Sequence, residues 1–139
     1  MDNKLDVFHK GNLIATIIKL DNVEEGLTFY THDDRNIQFA TWNYEKGKEL
    51  EPHFHNTFDR NATITQEAVL VLKGKISCEL YDKKGKFISS HILETNHVMI
   101  QYSEVHKYIM LEKSLVLEFK NGPYFGPEAD RTRVDLNED

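Results

Sequence analysis

Among its 139 residues the chain has one cysteine, Cys78, so no internal disulfide can staple the fold. That is the usage of a reducing compartment. Long apolar runs are missing as well. The longest apolar-rich stretch, 13–20, is interrupted by Thr16 and Lys19, and falls far short of the roughly 20 residues a membrane-crossing helix needs. The opening Met1-Asp-Asn-Lys-Leu-Asp6 holds no apolar signal core, so the expectation is a cytoplasmic protein with no membrane role. Basic residues are outnumbered, 17 Lys and Arg against 23 Asp and Glu, for a formal charge of -6. Phosphate backbones select clustered positive charge, so nucleic acid is not an expected partner. The densest basic cluster, Lys83-Lys84-Gly85-Lys86, has the composition of a solvated hairpin turn. Repeats, low-complexity tracts and Pro/Gly/Ser linkers are absent, and no stretch sustains a helical period with caps at both ends.

What is present is a succession of short β-branched and aromatic runs separated by turn chemistry. Strands are expected near 13–20, 26–31, 37–45, 50–56, 64–73, 75–82, 86–94, 97–101, 105–111 and 114–120. Asp33-Asp-Arg-Asn36, Glu45-Lys-Gly47, Lys73-Gly-Lys75 and Asp82-Lys-Lys-Gly85 supply the turns between them. About ten short strands with tight turns indicate an all-β sandwich or barrel. The length suits one domain, 1–139, with a core of about 37–120, N-terminal strands over 13–31 and a tail over 122–139. In the tail, Tyr124 and Phe125 are expected to pack back onto the body.

Chemistry concentrates in His53-Phe54-His55, with Glu67 and His106 further on. Residues two apart on a strand present both rings to one face, with Phe54 on the other. Imidazole and carboxylate together suit divalent iron, manganese, nickel, copper or zinc better than calcium or magnesium, which take all-oxygen shells. Strand alternation groups Glu67 with Val69 and Val71, groups His106 with Tyr108 and Met110, and groups Leu115 with Leu117 and Phe119. An apolar interior with a few polar groups is the composition of a small-molecule pocket. Tyr108 is the candidate to touch a substrate or to steady a ligand ring, and Gln66 is the alternative to Glu67 if a bulge shifts the register. Cys78 reads as a small buried residue, because spacing offers it no partner base. Trp42 and Tyr44 share a face and read as core or dimer packing.

The stretch Gly47-x5-His53-x-His55-x11-Glu67-x6-Gly74 resembles the first cupin motif. Both fixed spacings match, and the interval between His55 and Glu67 is longer than usual. His106 falls where the second motif places its histidine, although Gln101, Ser103 and Met110 replace that motif's proline, glycine and asparagine. Over residues 40 to 120 the resemblance implies a double-stranded β-helix of jelly-roll type, with a divalent transition metal held by His53, His55, Glu67 and His106. The Pro-His-x-His run and Gly122-Pro123-Tyr124 are most similar to WbuC-type cupin metalloproteins of polysaccharide biosynthesis loci. Three functions stay open. One is a metal-dependent isomerase or oxygenase acting on a small sugar-like or hydroxy-carbonyl molecule. The second is a metal-independent sugar-nucleotide ketoisomerase using histidine for proton transfer. The third is a non-catalytic ligand-binding or sensing module. A homodimer paired through N-terminal strands is expected, because the apolar run at 13–20 would otherwise leave an exposed edge.

Overall fold

The computed structural model describes residues 3–137. Ten strands and one short helix follow in order. They are β1 (Lys4–His9), β2 (Asn12–Lys19), β3 (Gly26–Phe29), β4 (Ala40–Asn43), β5 (Glu67–Lys73), β6 (Lys75–Tyr81), β7 (Phe87–Glu94), β8 (His97–Gln101), β9 (Val105–Met110), β10 (Leu115–Lys120) and α1 (Pro127–Asp130). The strands form a five-stranded sheet of order β1-β2-β8-β5-β10, a three-stranded sheet β7-β6-β9 and the hairpin β3-β4, each antiparallel throughout. The fold is therefore all-β, and among the described residues no sheet closes on itself.

The five-stranded sheet is covered on both faces over its centre, which explains why β2 and β8 read as near-continuous apolar runs. On one face Ala15, Ile17, Met99, Val69 and Val71 meet Ile76, Cys78, Leu80 and Leu93 of the three-stranded sheet. On the other face Ile18, Val98, Ile100 and Ala68 are capped by Tyr30, Ile37 and Phe39, from the segment between β3 and β4. Each fully buried aliphatic side chain of this kind contributes about 1.5–3 kcal/mol. Gln66 pins that covering layer. Its Oε1 accepts from the backbone N–H of Asn36 at 2.8 Å and of Ile37 at 3.2 Å, and its Nε2 donates to the Tyr102 carbonyl at 3.5 Å.

Several expectations are corrected. Strand β1 was not foreseen, because Lys4 and Asp6 alternate with apolar residues over too short a span. It is held by its ladder to β2 and by Thr16 Oγ1 donating to Asp6 Oδ1 at 2.8 Å. The apolar run at 13–20 is no exposed edge, since β1 and β8 flank it within the same chain. No strand forms over 50–56. Residues 44–66 lie outside every ladder, with Leu50, Phe54 and Phe58 exposed. Pro52 lacks a ladder donor, and residues 50–56 gain no burial to offset the cost of ordering them. The strand expected over 37–45 shortens to β4, where Trp42 is 69% exposed and so packs in no core. In the tail Phe125 is 79% exposed and Tyr124 stacks only against the Lys120 ammonium. The chain returns instead through Asn137, whose N–H donates to the Gly85 carbonyl. The 82–85 turn forms as expected, with Asp82 Oδ1 accepting from the N–H groups of Lys84 and Lys86. No helix among the described residues is long and apolar enough to cross a membrane.

Candidate acid-base cavity between the sheets

The ladders dictate which side chains face one another between the sheets. In an antiparallel pair, residues opposite in register point to the same face. Glu67 lies opposite Gln101 on one side and Lys120 on the other, so these three form a row across the five-stranded sheet. The next row holds Val69 with Met99 and Glu118. From the three-stranded sheet His106, Tyr108 and Met110 face inward, opposite the buried Leu80, Cys78 and Ile76. Between them lies a cavity of about 480 Å³, whose lining includes Glu67, Gln101, His106, Tyr108, Glu118 and Lys120. Its rim is tied by Thr65 Oγ1 donating to Asp130 Oδ1 at 3.3 Å. Glu104, also on the wall, is held at φ 71, a left-handed backbone that side-chain-bearing residues seldom adopt.

Asn121 fixes the start of β5 and hence the aim of Glu67. Its Oδ1 accepts from the Gln66 N–H at 2.8 Å, while its Nδ2 donates to the Ile64 carbonyl at 3.1 Å. Glu67 Oε1 sits 3.1 Å from His106 Nε2. Burial raises the Glu67 carboxyl from its ordinary 4.5 to about 7, helped by a hydrogen bond to Glu118 and by that residue's charge. Two carboxyls this close cannot both ionise cheaply, and it is Glu67 that keeps its proton. Burial also lowers the proton affinity of the His106 imidazole, which the Glu118 charge partly restores. A carboxyl that keeps its proton to about pH 7 thus lies within hydrogen-bond reach of an imidazole whose charging burial disfavours, an acid beside a base as general acid-base chemistry needs. Tyr108 is raised well above the ordinary phenol range by burial and by Cys78 across the strand pair, so it stays a neutral hydroxyl. Its oxygen is buried, and among the described residues only the weakly bonding Cys78 thiol is placed to meet it. Cys78 is fully buried, and burial pushes its thiol up to about 12, which makes it inert as a nucleophile.

The residues singled out from sequence divide into two places. Glu67, His106 and Tyr108 come together in the cavity. His53 and His55 lie on the exposed 44–65 segment, outside the cavity lining. Their rings stand edge to face with centroids 5.3 Å apart, and His53 Nδ1 bonds the Glu51 carbonyl at 2.8 Å. The donor chemistry of all four suits a transition metal, but as placed they do not form one shell. Among the described residues no three His, Cys, Asp or Glu side chains converge as a metal site. Gln66 is no substitute for Glu67, because it points to the opposite face.

Glu118 and Lys120 are the functional candidates the sequence reading missed. The conspicuous apolar set on that strand is Leu115, Leu117 and Phe119, which alternation groups on one face. These three are exposed, and it is Val116, Glu118 and Lys120 that line the cavity. Alternation alone contained the signal: Glu118 and Lys120 had to face opposite to Phe119, and pairing with β5 put them beside Glu67. Comparison with family models, with curated proteins and with solved structures finds no match to this chain.

Proposed function

We propose that the protein is an enzyme that moves a proton on a small hydroxy-carbonyl molecule bound between the two sheets, with Glu67 and His106 as acid and base. One observation carries this reading: a carboxyl holding its proton to about pH 7 lies 3.1 Å from a neutral imidazole inside a cavity. In the reaction the Glu67 carboxyl gives its proton to the carbonyl oxygen as the imidazole takes one from the adjacent carbon. An enediol results; the imidazolium then gives its proton to the former carbonyl carbon while the Glu67 carboxylate takes the proton of the neighbouring hydroxyl, which yields the isomer and restores both groups. The Tyr108 hydroxyl, neutral and met by nothing stronger than the Cys78 thiol, donates to the oxygen on which charge develops. The sheets facing each other across the cavity support the jelly-roll reading as an open form. The cupin resemblance adds the setting of surface polysaccharide metabolism.

The test is deuterium exchange. Protein incubated in D2O with dihydroxyacetone, glyceraldehyde and free aldoses should incorporate deuterium beside the carbonyl, followed by proton NMR. Glu67→Gln and His106→Ala should each lower the rate by about 100-fold or more, while His91→Ala leaves it unchanged. Exchange no faster than buffer for every compound retires the reading.

A second reading keeps the metal and has its own support. The outer edge of β9 has no strand partner among the described residues. A strand at 50–56 laid along that edge would bring His53 and His55 toward His106 and complete the set of four. Residues 44–65 are exposed and belong to no ladder, which leaves their backbone free to pair.

A further inference from the structure

Gln101 is 3% exposed, and both its carboxamide oxygen and its nitrogen are buried with no hydrogen-bond partner among the described residues. Leaving such a group unmet costs free energy that an apolar residue of the same shape would not. It sits on the inner face of β8, directly opposite Glu67, in the cavity wall. A carboxamide presents a donor and an acceptor side by side. Two neighbouring hydroxyls, each able to give and to accept, match it. The wall beside it offers Val69, Ile76, Met110 and Val116, apolar ground for the C–H face of such a molecule. The charges point the same way. With Glu67 holding its proton, Glu104, Glu118 and Asp130 line the cavity as carboxylates, against Lys120 and Arg131. Lys120 is already engaged, 3.7 Å from Glu118 Oε1 and over the Tyr124 ring. A phosphate ester needs a cluster of free cations, and this wall repels it.

We infer that the cavity takes an uncharged molecule with adjacent hydroxyls, that Gln101 reads the hydroxyl pair, and that the carboxylate excess turns away phosphate esters and nucleotides. The inference rests on the cavity being the functional site proposed above. The test is titration of the protein with D-ribose, 2-deoxy-D-ribose, myo-inositol and D-ribose 5-phosphate, followed by amide and side-chain NMR shifts. Ribose and inositol should shift the Gln101 side-chain amide and the cavity resonances saturably. Deoxyribose and ribose 5-phosphate should each bind at least tenfold more weakly. Gln101→Met, with Gln101→Leu as a second variant, should erase the preference for ribose over deoxyribose. Each should raise the denaturation midpoint of the free protein, a gain that a structural hydrogen-bonding role would turn into a loss. Equal binding of ribose and deoxyribose, tighter binding of the phosphate ester, or destabilisation by both variants overturns it, as does silence of the cavity resonances to every probe. Saturable ribose binding without deuterium exchange leaves this inference standing and removes the proton-transfer reading. Exchange without hydroxyl discrimination does the reverse.

Discussion

Replacing Glu67 by Gln should remove a pH dependence of stability whose sign and size follow from the cavity. The native protein keeps the Glu67 proton to about pH 7, whereas the unfolded chain releases it near 4.5. Between those values the folded state binds more protons, so stability falls as pH rises, and the penalty is complete above pH 7. The full displacement corresponds to about 3 kcal/mol. Hydrogen bonding from His106 and the open mouth of the cavity return part of it, which leaves roughly 1–2 kcal/mol. Glutamine has nearly the same shape, still bonds His106 and does not titrate. His106 works in the other direction. Its proton affinity is lowered by burial, so its contribution is lost as pH falls through the ordinary imidazole range. That slope stays in both proteins and cancels in the difference. Urea denaturation at pH 4.5 to 8 should therefore show wild type losing ground to Glu67→Gln across the window, by about 0.5–1 M in midpoint. Parallel curves would mean that Glu67 ionises normally, and the acid-base assignment would fall with it.

Gln66→Ala should cost about 2–4 kcal/mol, because it strips the acceptor from two backbone N–H groups under the covering layer; thermal denaturation checks this, and a cost below 1 kcal/mol contradicts the pinning role. Gly74→Ala should destabilise by about 2–4 kcal/mol. The glycine has φ 103, and a Cβ there would lie 2.7 Å from the Lys113 carbonyl oxygen and 2.8 Å from Ser114 Cα. An unchanged denaturation midpoint would show that the turn yields freely. His53→Ala and His55→Ala should change stability by less than about 0.5 kcal/mol, as both are exposed. If the second reading holds, one equivalent of Ni(II) or Zn(II) shifts the ring resonances of His53, His55 and His106 together, and binding weakens as protons compete at lower pH. A shift at His53 and His55 alone ends it.

The β fold was legible wherever apolar periodicity and turn residues agreed, as at 75–82 and 97–101, where burial on one or both faces leaves little choice. It failed at 50–56. There the His-x-His alternation has the period of a strand but no neighbour to pair with, and pairing is not encoded in a single segment. Within the cavity, Glu67, His106 and Tyr108 were found because alternation fixes a face. Gln101 was noticed only for what it replaces in a motif. Its buried, unmet carboxamide becomes apparent once β5 is laid beside β8. Glu118 was hidden by its apolar neighbours. The larger the residues on the outer side of a strand, the more they resemble a core.

Adjacent side chains at the head of β5 have opposite destinations, an amide under the 30–39 layer and a carboxyl in the cavity. Sliding β5 by a single residue against its neighbours would swap them. An ionisable group would then enter an apolar layer, and the N–H groups of residues 36 and 37 would lose their acceptor. Such a slip is penalised on both faces at once. Residues 66 and 67 thereby act as a key that admits one alignment of the sheet, and the placement of the reactive carboxyl is a by-product of getting the alignment right.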